Sequence, residues 1–246
     1  MVVSFATSSS AYPRQDDFNT ADLNANETNP STVLELFTSQ GCSSCPPANK
    51  FAASLLDDPD ALVLSYGVTY WDYLGWKDTF GKAKFTQRQR QYGRAMRSRN
   101  IYTPQIVLNG QEHSSRYSKA DVNKVTFSKT SHNVSLDMNR DNEAMQLTLS
   151  PELLNDYEDY AVMIVSYQAG LTDVPVKRGE NRGRLVTVPN VVNDIVPVNI
   201  EDHDPKGVIP LSFTPNKDMN YAALLHRRDN LEIVNAARLQ TLPSGH

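Results

Sequence analysis

The chain has 246 residues, 39% hydrophobic and 21% charged, with a formal net charge of −4. That describes an ordinary soluble protein of one large or two smaller domains, and the acidic balance argues against general nucleic-acid binding. No apolar run approaches the roughly 18 residues of a membrane-spanning helix.

Residues 1–31 carry Ser8-Ser9-Ser10, Asp16-Asp17 and a stretch of Asn, Thr and Asp with little apolar periodicity. They read as a flexible arm. The first six residues are too short for a signal peptide and lack a basic start, although they fit a trimmed remnant. From Thr32 onward strands and helices alternate. Thr32–Thr38 reads as a buried strand. Residues 46–56 read as a helix with Ala48, Phe51, Ala52 and Leu55 on one face, ended by Asp57-Asp58-Pro59. Residues 61–68 form a second strand.

An aromatic connection follows, Tyr70-Trp71-Asp72-Tyr73-Leu74-Gly75-Trp76. Residues 85–98 then look helical, with Phe85, Tyr92 and Met96 as the inward stripe. Thr103-Pro104 leads into a strand over 105–108, and Asn109-Gly110 is a hairpin signal. A return strand and a helix over 118–126 complete an α/β unit with a mixed central sheet. Beyond His132, short alternating runs separated by Gly, Pro, Asn and Asp predict an antiparallel, sandwich-like or barrel unit. The fold class is therefore α/β plus all-β, with domains over 32–130 and 131–246.

Cys42 and Cys45 are the only cysteines, two residues apart between a strand and a helix. A dithiol in that context is the usual seat of thiol–disulfide exchange. A helix N-terminus lowers a thiol's pKa, so Cys42 is assigned as the exposed nucleophile and Cys45 as the resolving thiol one turn further in. Pro46 and Pro47, which lack amide protons, must lie in or near the first helical turn and complicate that support. Two other readings stand beside this one. The pair is a thiolate site for Cu(I), with a third ligand such as His113; or it is a static disulfide in a binding module. A zinc site needs more ligands than the chain offers at suitable spacing.

Other residues carry paired readings. Trp71 and Trp76 either pack as core or form an apolar wall for substrate. Glu35, seven residues before Cys42, either relays a proton from the resolving thiol, with burial raising its pKa, or pairs with a Lys or Arg. Lys82, Lys84, Arg88, Arg90, Arg94, Arg97 and Arg99 form an unbroken basic run, read as a solvated helix face or a surface for an acidic partner. Gly179-Glu180-Asn181-Arg182-Gly183 has turn composition, and is expected to form a ligand loop or, preferably, a salt-bridged clamp onto the first unit.

The run Leu34–Ala48, with Gln40-Gly41-Cys42-Ser43-Ser44-Cys45-Pro46-Pro47 at its centre, resembles the thioredoxin-like family catalogued as domain of unknown function 1223. Trp71-Asp72-Tyr73-Leu74-Gly75-Trp76, Gln89-Arg90-Gln91-Tyr92, Tyr102-Thr103-Pro104-Gln105 and Arg178–Arg184 resemble its later blocks, in order. The resemblance implies a thioredoxin-like domain followed by a β-rich one, in proteins usually exported to the periplasm or secreted. It also implies that Thr103 and cis Pro104 offer a backbone edge to substrate beside Cys42. The expected activity is exchange with a disulfide- or thiol-bearing protein or small molecule, with no organic cofactor.

Overall fold

Strand β1 (Thr32–Thr38) is buried at every position, which requires cover on both of its faces. In the computed structural model, which describes residues 29–98, 100–127, 130, 132–138 and 144–239, that cover is provided by helices. The expected arm over 1–31 lies outside the described residues apart from 29–31. Leu34 and Leu36 share a cluster with Ala48 and Ala52 of α1 (Pro46–Ala53), and Val33 and Phe37 share another with Phe85 and Tyr92 of α2 (Ala83–Ala95). Alternate residues of one strand thus serve opposite helices. β2 (Ala61–Gly67) runs parallel to β1, while β3 (Gln105–Leu108) is antiparallel to it and hairpins to β4 (Glu112–Ser114). At the turn, Asn109 and Gly110 both take positive φ, and a Cβ on Gly110 would collide with the Leu231 carbonyl. A short α3 (Lys119–Val122) follows, opened by a Ser118–Asp121 capping box.

The strands of the second half divide between an extension of this sheet and a sheet of their own. After the hairpin of β5 (Val134–Met138) and β6 (Met145–Leu149) comes a long hairpin of β7 (Tyr160–Pro175) and β8 (Leu185–Val198). β8 lies parallel to the open edge of β2, with Ser65 opposite Val191. The resulting eight-stranded sheet also takes in β10 (Asn220–Arg227) and β11 (Ile233–Leu239), in the order β11-β10-β7-β8-β2-β1-β3-β4. Asn190 Nδ2 fastens the seam by donating to the Val63 carbonyl at 3.0 Å. An uncovered β2 edge would leave backbone groups unpaired, so the sheet continues across the boundary expected near 130.

β5, β6 and β9 (Val208–Pro210) make a separate three-stranded antiparallel sheet. Its Leu136, Leu147 and Ile209 pack on Val162, Ile164 and Leu225, while Val165, Tyr167 and Leu224 face the α2 side. The expected antiparallel second unit is present as strands divided between these two sheets. β8 continues unbroken past Pro189: Asn190 takes φ 39° and accepts from the Gly170 amide at 2.8 Å, bridging the register shift in β7.

Candidate functional site

β1 delivers the chain to a tight turn. The Cys42 amide donates to the Ser39 carbonyl at 3.1 Å and the Cys45 amide to the Cys42 carbonyl at 3.2 Å. Cys45 is the N-cap of α1, with Pro46 and Pro47 following, and the two sulfurs form a disulfide across a Cα–Cα distance of 5.5 Å. Cys42 therefore lies ahead of the helix, and Pro46 and Pro47 remove amide donors from its first turn. The dipole support expected for Cys42 is correspondingly weak. Its polar neighbour is instead the Ser44 hydroxyl, 3.3 Å from Sγ.

Cys42 is not the exposed thiol expected from the sequence. Both cysteines have 0% exposure, and only Ser43 and Ser44 between them face solvent. The turn is fastened from 139 residues away, at the tip of the β7–β8 hairpin. Asn181, itself fully buried, donates from Nδ2 to the Gln40 carbonyl at 3.0 Å and the Cys42 carbonyl at 2.8 Å. Glu180 accepts from the Ser43 amide at 3.2 Å, and its hydrogen bonds to Ser43 hold its carboxyl below the ordinary value. Gly179, at φ 76°, turns the strap where a Cβ would stand 3.5 Å from Trp76. The expected clamp exists, but hydrogen bonds rather than salt bridges fasten it.

On the other side of the turn the Thr103–Pro104 peptide is cis, and both residues line an open groove of about 700 Å³ with Ser44, Pro47 and Phe51. Trp71 and Trp76 are half-buried braces rather than a free wall. Trp71 Nε1 donates to Thr103 Oγ1 at 2.6 Å, and Trp76 Nε1 donates to Gln40 Oε1 at 2.9 Å. Each indole ties the aromatic connection to one rim of the site, as a buried indole N–H requires a partner.

Sequence reasoning missed Asp78. This buried carboxylate accepts from the Gln40 amide at 2.7 Å and the Phe80 amide at 2.9 Å, so it fixes the backbone two residues before Cys42. Burial raises its pKa, even though those amide bonds pull the other way. Its signal was the Trp76-Lys77-Asp78 step at the end of the aromatic block.

Glu35 does not occupy the relay position. It points to the α2 side of the sheet, whereas α1 and the disulfide lie on the other side of β1. Arg88 grips it from Nε at 2.6 Å and Nη2 at 2.8 Å, and the Tyr92 hydroxyl donates to it as well. Burial alone would raise the Glu35 carboxyl, but the Arg88 charge and these hydrogen bonds leave it below the ordinary value. A carboxylate so held is a poor proton acceptor. His226 closes the cluster: its Nε2 stands 3.0 Å from Arg88 Nη2 and must accept, because guanidinium only donates. Burial and the Arg88 charge push that imidazole down to about 3.

The basic run is also divided. Arg88 is buried in this cluster, and Lys84 pairs with Asp194; Arg99 lies outside the described residues. Among the described residues no group of three His, Cys, Asp or Glu side chains is placed to hold a metal, and His113 meets the Tyr102 hydroxyl instead.

The family model for a protein of unknown function, DUF1223, matches residues 33–225. The chain belongs to the DUF1223 family. That span contains the disulfide, the cis-proline loop and the strap, so the whole site lies within the family's shared length. No curated protein matches the chain. Among solved structures, it resembles protein AGR_C_4864 from Agrobacterium tumefaciens, with 27% identity and a TM-score of 0.62 over 88% of this chain and 97% of that one. HBP35 of Porphyromonas gingivalis shares the fold, at 15% identity and a TM-score of 0.55, over 87% of this chain and 76% of that one.

Proposed function

We propose that this DUF1223 protein is a thiol–disulfide oxidoreductase whose residues 32–130 form a thioredoxin-like domain, working outside the cytoplasm. The observation that carries the reading is that Ser44, between the cysteines, shares one groove with the cis peptide Thr103–Pro104. The sheet order β2-β1-β3-β4, parallel then antiparallel, with the dithiol leaving β1 and the cis proline entering β3, supports it.

In the oxidising direction, in which substrate thiols become a disulfide and Cys42–Cys45 is reduced, a substrate thiolate attacks Cys42 Sγ. The Cys42–Cys45 bond breaks, a mixed disulfide forms, and Cys45 leaves as a thiolate. A second substrate thiolate then attacks the substrate sulfur of that mixed disulfide, forming substrate disulfide and releasing Cys42. The reverse sequence reduces a substrate disulfide at the expense of the dithiol. Ser44 Oγ is positioned to stabilise developing charge on Cys42 Sγ. Because Cys42 is fully buried, the first attack requires its surroundings to open, and we assign that movement to the strap that Glu180 and Asn181 fasten to the turn.

That same burial favours one rival, a binding module with a static disulfide. Trapping separates the two. Reduced Cys45→Ser, mixed with disulfide-bearing protein, accumulates a covalent adduct through Cys42 on the oxidoreductase reading. Under the static reading no adduct forms above the level of the double variant Cys42→Ser/Cys45→Ser.

A further inference from the structure

The tip of the β7–β8 hairpin is cationic on an otherwise acidic chain. Lys177, Arg178, Arg182 and Arg184 are all exposed there, while Glu180 is turned in on the Ser43 amide. Among the described residues none of these four cations forms an ion pair, and Arg184 donates only to Asn181, at 3.2 Å. Lys177, Arg182 and Arg184 line a shallow hollow of about 460 Å³ together with Pro175, Val176 and Leu185. The strand register puts Leu171, Pro175 and Leu185 on one face of the hairpin, where the leucines are 59% and 62% exposed. Asp173 shares that face, but its carboxylate is engaged by Thr187.

We propose that this tip docks an acidic, partly apolar segment of a partner protein, and that the partner is the thiol- or disulfide-bearing protein on which Cys42 acts. The docking claim stands on the tip itself; only the partner's role as substrate rests on the function proposed above. Unpaired guanidinium and ammonium groups suit carboxylates, and exposed leucines beside them suit aliphatic side chains. A free inorganic anion would satisfy the charge and leave the leucines uncovered. Since the same tip fastens Glu180 to the Ser43 amide and Asn181 to the Cys42 carbonyl, a segment bound here lies against the strap assigned to move before exchange.

The test uses the full oxidised chain and a fluorescein-labelled, cysteine-free peptide of alternating Glu and Leu, followed by anisotropy. Saturable binding is expected, weakening about tenfold between low ionic strength and about 0.3 M salt. Lys177→Glu/Arg182→Glu should bind about tenfold or more weakly while melting like wild type, since both side chains are free and exposed. Lys177→Gln/Arg182→Gln should fall between the two. Cys42→Ser should bind as wild type does, so docking is read independently of any redox chemistry, and a failure of the exchange reading would leave this result untouched. No saturable binding at low salt, or equal binding by the charge-reversed variant, overturns the proposal. So does complete displacement by millimolar phosphate, or association with phosphatidylserine vesicles without binding to the peptide.

Discussion

Replacing Asn181 with alanine removes the hydrogen bonds to the Gln40 and Cys42 carbonyls while leaving the disulfide in place. The Cys42 carbonyl keeps the Cys45 amide at 3.2 Å, so the desolvation cost falls mainly on the Gln40 carbonyl. Buried hydrogen bonds of this kind contribute about 1 kcal/mol each, and an orphaned buried acceptor adds to the loss, giving about 2–3 kcal/mol in all. If a reductant reaches Cys42 only when the strap lifts, that free energy goes into the opening equilibrium. Reduction by dithiothreitol should then accelerate roughly 30- to 140-fold, since about 1.4 kcal/mol is tenfold. The assay is thiol appearance under pseudo-first-order conditions, with low urea added to separate local opening from global unfolding. Asn181→Asp, similar in shape but without the donor, should accelerate reduction too. A folded Asn181→Ala protein reduced within about twofold of the wild-type rate would refute the strap as the barrier.

The buried pair Glu35–Arg88 makes a second prediction: Arg88→Met, which strands a carboxylate in the core, should cost about 3–5 kcal/mol in urea unfolding, whereas Glu35→Leu/Arg88→Met should recover much of it. A single-variant loss below about 1 kcal/mol would contradict the pairing. The pH dependence of stability follows from His226 and Glu35 together. His226 has a folded pKa of about 3 against 6.5 for the free side chain, so the unfolded chain takes up a proton that the native state refuses as pH falls below 6.5. Glu35, lowered in the fold, contributes stability above 4.5 that is lost as pH falls through its folded value. Both effects weaken the fold on acidification, with His226 alone giving a slope of up to about 1.4 kcal/mol per pH unit below 6.5. His226→Gln should flatten urea-derived stability between pH 6.5 and 4.5; an unchanged slope would show that another group is responsible.

Local patterns gave away the first unit, because each element there carries its own signal. Ala48 and Ala52 fall on one helical face, Asn109-Gly110 makes its turn, and 105–108 forms the expected strand. Helix ends were less legible: α1 stops at Ala53 rather than 56, and α3 at Val122 rather than 126. The face of Glu35 was hidden for a physical reason. A strand buried on both sides shows no alternation, so parity along β1 had no register until α2 brought Arg88 to it. The continuation of the sheet through β8 depends on the open edge of β2, which no short-range pattern records. The same holds for Asn181, whose turn composition was readable but whose partner carbonyl on Cys42 was not.

The central claim is that one covered sulfur exchanges with substrate once uncovered. It is tested most directly by insulin reduction with dithiothreitol as electron donor, comparing wild type, Cys42→Ser and the fast-opening Asn181→Ala. The account predicts that wild type accelerates insulin precipitation above the background, that Cys42→Ser does not, and that Asn181→Ala is at least as fast as wild type. Wild-type and Cys42→Ser curves that superimpose, with both proteins folded, would contradict it.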